Sequence, residues 1–309
     1  MAKSISIVEV GPRDGLQNEA HEVSVQDRFQ FVHQLASAGL KRIEVGAFVS
    51  PQWVPQMKGS AELINQLNSQ AKSFAKDVRF SALVPNEKGM QLAMETSIKE
   101  IAIFGASSEG FSKANINCTI AESFERFRAV TKIAKKKKIK VRGYLSTAFG
   151  CPYDGYVDPK VVVKLTKDML KLGVYEVSIG DTIGVATPAQ VEEMMTLIKR
   201  AGIPMKKVAM HFHDTRGTAL ANVVVSLKAG VQTFDSSLGG LGGCPYAKGA
   251  SGNLATEDLV YMLEGMGFKT GVKLESLIAL KQKMDEVIGR KLPAKVSNAG
   301  LPTGYPLWG

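Results

Sequence analysis

Apolar and polar positions along the chain fall into two alternating rhythms. Short strand-like runs occur at Ile5–Val10, Arg42–Val45, Phe80–Val84, Glu100–Phe104, Lys140–Leu145, Tyr175–Ile179, Lys207–Phe212 and Thr233–Ser236. Between them lie stretches with helical spacing: Val25–Ala38, Ala61–Leu67, Gly89–Thr96, Ile120–Lys135, Pro159–Leu172, Pro188–Arg200 and Thr218–Ala229. Several of these end in glycine, at Gly39, Gly173, Gly202 and Gly230, as helix C-caps do. Eight strand–helix units with no composition break predict a single α/β domain folded as a closed TIM (β/α)8 barrel, over about residues 5–272. A doubly wound open sheet is the competing arrangement. Beyond the last strand the pattern is helical at Thr256–Gly265 and Leu274–Ile288, so additional C-terminal helices and a Pro/Gly-rich tail, about 273–309, extend the barrel.

Composition narrows the class. At 309 residues and 45 % hydrophobic content the chain can bury a sizeable core. No apolar run approaches the ~18 residues that cross a bilayer, and no secretory or transit pattern precedes the strand at Ile5. A soluble, cytoplasmic protein without a membrane role is expected. Cys118, Cys151 and Cys244 form no CxxC pair, which argues against structural disulfides and a zinc finger. Net charge is +10, with a run at Lys135–Lys138, yet aromatics are only 7 % and no nucleic-acid motif accompanies the charge. The run closes a helical stretch, where cations suit the negative end of the dipole. A basic module for nucleic acid is therefore disfavoured, and the surplus charge suits an anionic small substrate such as a phosphate-bearing coenzyme.

The candidate chemistry centres on His211-Phe212-His213-Asp214, which holds half of the four histidines within three residues. Strand alternation puts His211 and His213 on one face, at the strand's C-terminal end, as a preformed pair of metal ligands. Barrel sites lie where strands end. The polar residues that look out of place fall there: Arg13 and Asp14 after the first strand, Glu44 on the second, Asp181 after the sixth. The loop SLGGLGGCPYAKGASGN after the eighth adds Cys244 and Asn253. Taken singly, Asp14 reads equally as a turn residue, Asn253 as a loop amide and Cys244 as a small core residue; their convergence on one rim favours a site. Two imidazoles, a carboxylate and an amide oxygen suit Mg²⁺ or Mn²⁺, with Zn²⁺ or Co²⁺ open. Such an ion would acidify a chelated alcohol, and loss of its proton would release the neighbouring carbon as an enolate. Arg13 suits that oxyanion, and Cys244, beside Gly242-Gly243, suits the acid that protonates the carbon.

The tracts GPRDGLQNE, VGAFVSPQWVPQM, NINCT, GDTIGVATP, HFHDT and GLGGCPYAKGASGNLATEDLVYML resemble those of the 3-hydroxy-3-methylglutaryl-CoA lyase (HMG-CoA lyase) family, from about Val8 to about Gly271. The resemblance implies a divalent-metal-dependent retro-Claisen cleavage of an acyl-CoA to acetyl-CoA and acetoacetate, as in leucine degradation, by a homodimer. It places metal ligands on Asp14, His211, His213 and Asn253. Catalytic roles fall on Arg13, Glu44, Asp181, His211 and Cys244, and substrate contacts on Arg13, Gln17 and Asn115. The rivals are a lyase for a longer branched 3-hydroxyglutaryl-CoA and a Claisen-condensing synthase for acetyl-CoA and a 2-oxo acid. An HxH pair does not separate the synthase, whereas the GGCPYAKGASGN thiol favours the lyase. Three departures stand out: Ala20 where many members carry Lys, Ser237-Leu238-Gly239-Gly240 for the more usual Ser-Val-Ala-Gly, and a tail, PTGYPLWG, without cysteine. Animal members use a C-terminal thiol for redox control of the dimer. Here, oxidised protein on a non-reducing gel should show no reversible covalent pair joined through the tail, and such a pair would contradict this reading.

Overall fold

The computed structural model describes residues 3–243 and 252–302. Eight strands run β1 (Ser6–Glu9), β2 (Arg42–Ala47), β3 (Arg79–Leu83), β4 (Glu100–Ala106), β5 (Lys140–Ser146), β6 (Val177–Asp181), β7 (Val208–Phe212) and β8 (Thr233–Ser236). Each pairs in parallel with the next, and β8 pairs with β1 in the register Ser6↔Thr233 to Glu9↔Ser236. This last pairing closes the barrel and excludes the open doubly wound sheet. The strands are covered on both sides, and β2 and β6 are buried along their whole length.

Helices surround the barrel: α1 (Val25–Ser37), α2 (Ser60–Ser69), α3 (Glu87–Met94), α4 (Glu109–Ile116), α5 (Ile120–Lys136), α6 (Pro159–Lys171), α7 (Pro188–Arg200), α8 (Ala219–Ala229), α9 (Thr256–Gly265), α10 (Leu274–Ile288) and α11 (Lys295–Ala299). The amphipathic pattern accounts for most of them. In α6 the buried side chains Val162, Val163, Leu165, Thr166 and Met169 form one stripe; Asp158 caps the first turn through Lys160 N–H at 2.8 Å, and Pro159 occupies the position where its missing N–H costs nothing.

Two helices lie outside the sequence pattern. α4 buries only Phe111 and Ser112, too narrow a stripe to read. α11, in the tail, is anchored by Asp258, whose oxygens accept Lys295 N–H at 3.1 Å and Val296 N–H at 2.7 Å. The tract NINCT proves to be a helix junction. Asn117 ends α4 in the left-handed conformation (φ 49°), the Cys118 carbonyl accepts from Ser112 Oγ at 2.7 Å, and Thr119 caps α5. Thr119 Oγ1 accepts Glu122 N–H at 3.2 Å while Glu122 accepts Thr119 N–H at 2.8 Å, a reciprocal capping box.

Charge is also threaded through the interior. Arg142 on β5 donates to Glu176 at 2.8 Å and to Asp235 on β8 at 2.7 Å, and Arg42 on β2 donates to the same Glu176 oxygen at 2.7 Å. All four side chains are buried. Paired in this way the charges are tolerated; removing one partner of a buried pair typically costs about 3–5 kcal/mol. Thr119→Ala should lower the unfolding free energy by about 0.5–2 kcal/mol, read as a lower urea midpoint at unchanged slope; an unmoved midpoint would deny the junction its role.

Candidate active site

After β1 the backbone winds through Gly11–Gly15, a wide turn opened by Pro12, which carries Arg13 buried and Asp14 half-buried. Arg13 Nη1 donates to Asp14 Oδ1 at 2.7 Å, its Nε donates to Glu44 on β2, and its guanidinium lies 5.5 Å from the Tyr144 ring centroid. The other oxygen of Glu44 accepts the Tyr144 hydroxyl at 2.9 Å. Burial opposes the charge on Arg13, but Glu44 and then Asp14 hold its pKa above the ordinary value. Arg13 is a fixed cation whose Nη2 takes no part in these contacts.

Beside it, His211 on β7 and His213 just beyond it bring their Nε2 atoms to 3.1 Å of each other. One donor atom each from Asp14, His211 and His213 falls within 4.8 Å of the others. Asn253, bridged to His213 through the backbone, donates from Nδ2 to Asp14 Oδ2 at 2.9 Å and to the Leu241 carbonyl at 3.0 Å. Two acceptors fix which end of the amide is nitrogen. Its Oδ1 is then buried with no hydrogen-bond partner among the described residues, a condition that costs about 1–3 kcal/mol.

These features fit a divalent cation. Both Nε2 atoms point into one space at a distance that a shared proton or a bound cation can bridge. Ligands at right angles around a cation, each about 2.1 Å from it, lie about 3.0 Å apart, close to the observed spacing. Burial, then the facing His211, pushes His213 down to about 3. Burial also opposes the charge on His211, but its hydrogen bond to Asp235 and the nearby Asp14 carry it above its ordinary value. Burial would raise Asp14, yet Arg13 and the two histidines bring it down to about 2, keeping it ionised. Asp14, His211, His213 and the orphaned Asn253 oxygen are the groups that would hold the ion.

The other candidates are placed differently. Asp181 ends β6, buried, and its two oxygens accept Val185 N–H at 2.9 Å and Ala186 N–H at 3.0 Å; burial pushes it up to about 6 against those bonds. It holds the loop that follows β6. Gln17 is half-buried just past the Arg13 turn, and Asn115 is exposed on α4. Cys244 lies outside the described residues. Sequence reasoning missed Tyr144, which braces Glu44, and Asp235, which backs His211 at 3.3 Å. The signal was present: Arg142 and Tyr144 stand two apart on one strand, and Asp235 is an acid inside an otherwise uncharged one.

The HMGL-like family model matches residues 4–284. The chain belongs to the HMGL-like family. The hydroxymethylglutaryl-CoA lyase of Pseudomonas mevalonii is 48 % identical over 299 residues, covering 97 % of this chain and 96 % of that protein. A Pseudomonas aeruginosa protein named 3-hydroxy-3-isohexenylglutaryl-CoA/hydroxy-methylglutaryl-CoA lyase is 46 % identical over 301 residues, covering 97 % and 98 %. Among solved structures, an HMG-CoA lyase from Acinetobacter baumannii in complex with coenzyme A and 3-methylmalate superposes with a TM-score of 0.91 at 35 % identity, covering 98 % of this chain and 97 % of that one. Family membership accounts for the barrel and for the polar tracts gathered at its rim. His213→Ala should weaken Mn²⁺ binding to the chelator-stripped protein by more than the roughly 10- to 100-fold that loss of an outer-shell partner costs; unchanged titration would remove His213 from the ligand set.

Proposed function

We propose that this chain is a lyase that cleaves (S)-3-hydroxy-3-methylglutaryl-CoA to acetyl-CoA and acetoacetate. The observation that carries the reading is near-full-length likeness to lyases named for that ester. In this reaction the tertiary hydroxyl loses its proton and its oxygen becomes the ketone of acetoacetate. The bond to the carbon beside the thioester breaks, its electron pair passes to a thioester enolate, and a proton delivered to that carbon gives acetyl-CoA. A divalent cation held by Asp14, His211, His213 and Asn253 would supply Lewis acidity to the substrate.

The chain's own groups divide the remaining work. Arg13, pinned by Glu44 and Asp14, offers its fork to the developing enolate oxygen. Glu44, itself held by Tyr144, keeps that fork aimed. His211 is assigned a ligand's role and, on the family resemblance, a place near the transferred proton. Asp181 shapes the wall after β6 through its two backbone bonds. Gln17 and Asn115 are assigned to the substrate side on the family resemblance. Cys244 is assigned the enolate-protonating acid on the same ground, supported by its glycine-flanked position after the last strand.

The substrate is an acyl-CoA. Neither the longer branched ester nor the condensing reaction is favoured over HMG-CoA cleavage. The mixed nitrogen and oxygen donor set supports Mg²⁺ or Mn²⁺ as the resident ion, and the family resemblance supports a homodimer. No helix among the described residues is long and apolar enough to cross a membrane. With Mg²⁺ and HMG-CoA the purified protein should release acetyl-CoA and acetoacetate in equal amounts. Arg13→Met should lower kcat at saturating Mg²⁺ by about 100- to 1,000-fold, as loss of an oxyanion donor does. Absence of product from wild type would reject the activity, and a wild-type rate in the variant would reject the role of Arg13.

A further inference from the structure

Behind the two imidazoles lies a buried carboxylate that the reaction does not consume. Asp235, on β8, is 1 % exposed. Its Oδ2 faces His211 Nδ1 at 3.3 Å, on the side of the ring away from His213. The same carboxylate accepts Arg142 Nη2 at 2.7 Å and Nη1 at 3.3 Å, and the Ser178 hydroxyl at 2.6 Å. Both of its oxygens are therefore committed, and it stands behind the His211 ring rather than in the cluster. A two-point guanidinium contact of this kind is the geometry of an arginine paired with a carboxylate.

An ionised carboxylate accepts hydrogen bonds and donates none. The contact at 3.3 Å therefore requires a proton on His211 Nδ1 and leaves Nε2, which faces His213, as the nitrogen that can bind a cation. We infer that Asp235, clamped by Arg142 and Ser178, is a positioning residue that fixes the tautomer and ring orientation of His211 for binding a divalent cation. The inference rests on the metal-centre reading above. The clamp matters because a free carboxylate could rotate, whereas a guanidinium fork from β5 and a hydroxyl from β6 set its plane against the barrel wall. Arg142 is braced in turn by Glu176, and Glu176 by Arg42, so the orientation of one imidazole is tied to strands across the barrel.

Asparagine is nearly isosteric, but it can present its NH₂ to Nδ1 and so favour the opposite tautomer, with the proton on Nε2. The test titrates Mn²⁺ into chelator-stripped, full-length protein without substrate, comparing wild type, Asp235→Asn and Ser178→Ala, with thermal melts to establish folding. Long-range proton–nitrogen NMR correlations of isotopically labelled histidine report which ring nitrogen of His211 carries the proton. Asp235→Asn should bind Mn²⁺ about 10- to 100-fold more weakly and shift His211 toward the Nε2–H form. Ser178→Ala, which keeps the charge, should weaken binding less while retaining the Nδ1–H form. A folded Asp235→Asn protein with wild-type Mn²⁺ affinity overturns the inference. If that variant does not fold, Ser178→Ala decides: several-fold weaker binding upholds the clamp, and unchanged affinity overturns it. Wild-type protein that binds no Mn²⁺ would overturn the metal-centre reading and this inference together, whereas an effect missing only in the variants overturns the inference alone.

Discussion

The seam between β1 and β8 is the constraint on which the rest depends. Ladder bonds there bring together segments more than two hundred positions apart, and one buried carboxylate reinforces the join. Glu9 accepts Gly11 N–H at 2.8 Å, Leu238 N–H at 2.9 Å and the Thr256 hydroxyl at 2.6 Å. It thereby ties the start of the Arg13 turn to both ends of the tract that follows β8. Without closure, Asp14 and Asn253 would stand at opposite edges of a sheet, and their contact would not exist. Joining such distant segments carries the loop-closure entropy of more than two hundred residues, so the seam belongs among the last contacts to become favourable during folding.

A second theme is how charge is kept in the buried interior of the barrel. Arg13 with Glu44 and the half-buried Asp14, and Arg142 with Glu176 and Asp235, form two groups in which the central arginine meets two acids. Tyr144 lies between them, its ring 5.5 Å from one guanidinium carbon and 4.8 Å from the other. Such arrangements contribute little net stability compared with a hydrophobic filling. Their value is directional, because a planar guanidinium bound at two or three points leaves its neighbours few orientations.

Much of this was legible in the sequence, for reasons that particular residues make plain. Eight apolar runs with helical spacers are periodic, and periodicity is local, so the barrel could be counted off. His211 and His213 were found because a two-residue spacing has only one meaning on a strand. The long tract after β8 carried its own signature. What escaped is pairing across strands: nothing near Asp235 in sequence points to Arg142, Ser178 or His211, since their meeting depends on barrel register. Tyr144 resembled an ordinary core aromatic until its hydroxyl was seen against Glu44. The helix at Glu109–Ile116 buries too few side chains to leave a stripe, and α11 is held by hydrogen bonds to Asp258 rather than by its own pattern.

The tract after β8 has a further property. Gly252 has φ +84°, and a Cβ there would sit 1.9 Å from the carbonyl oxygen of Gly242. The chain thus departs and returns through a pinched neck formed by two glycine backbones, with Asn253 fastened on the near side of it. A side chain at position 252 would have to part these two backbones and draw Asn253 away from Asp14.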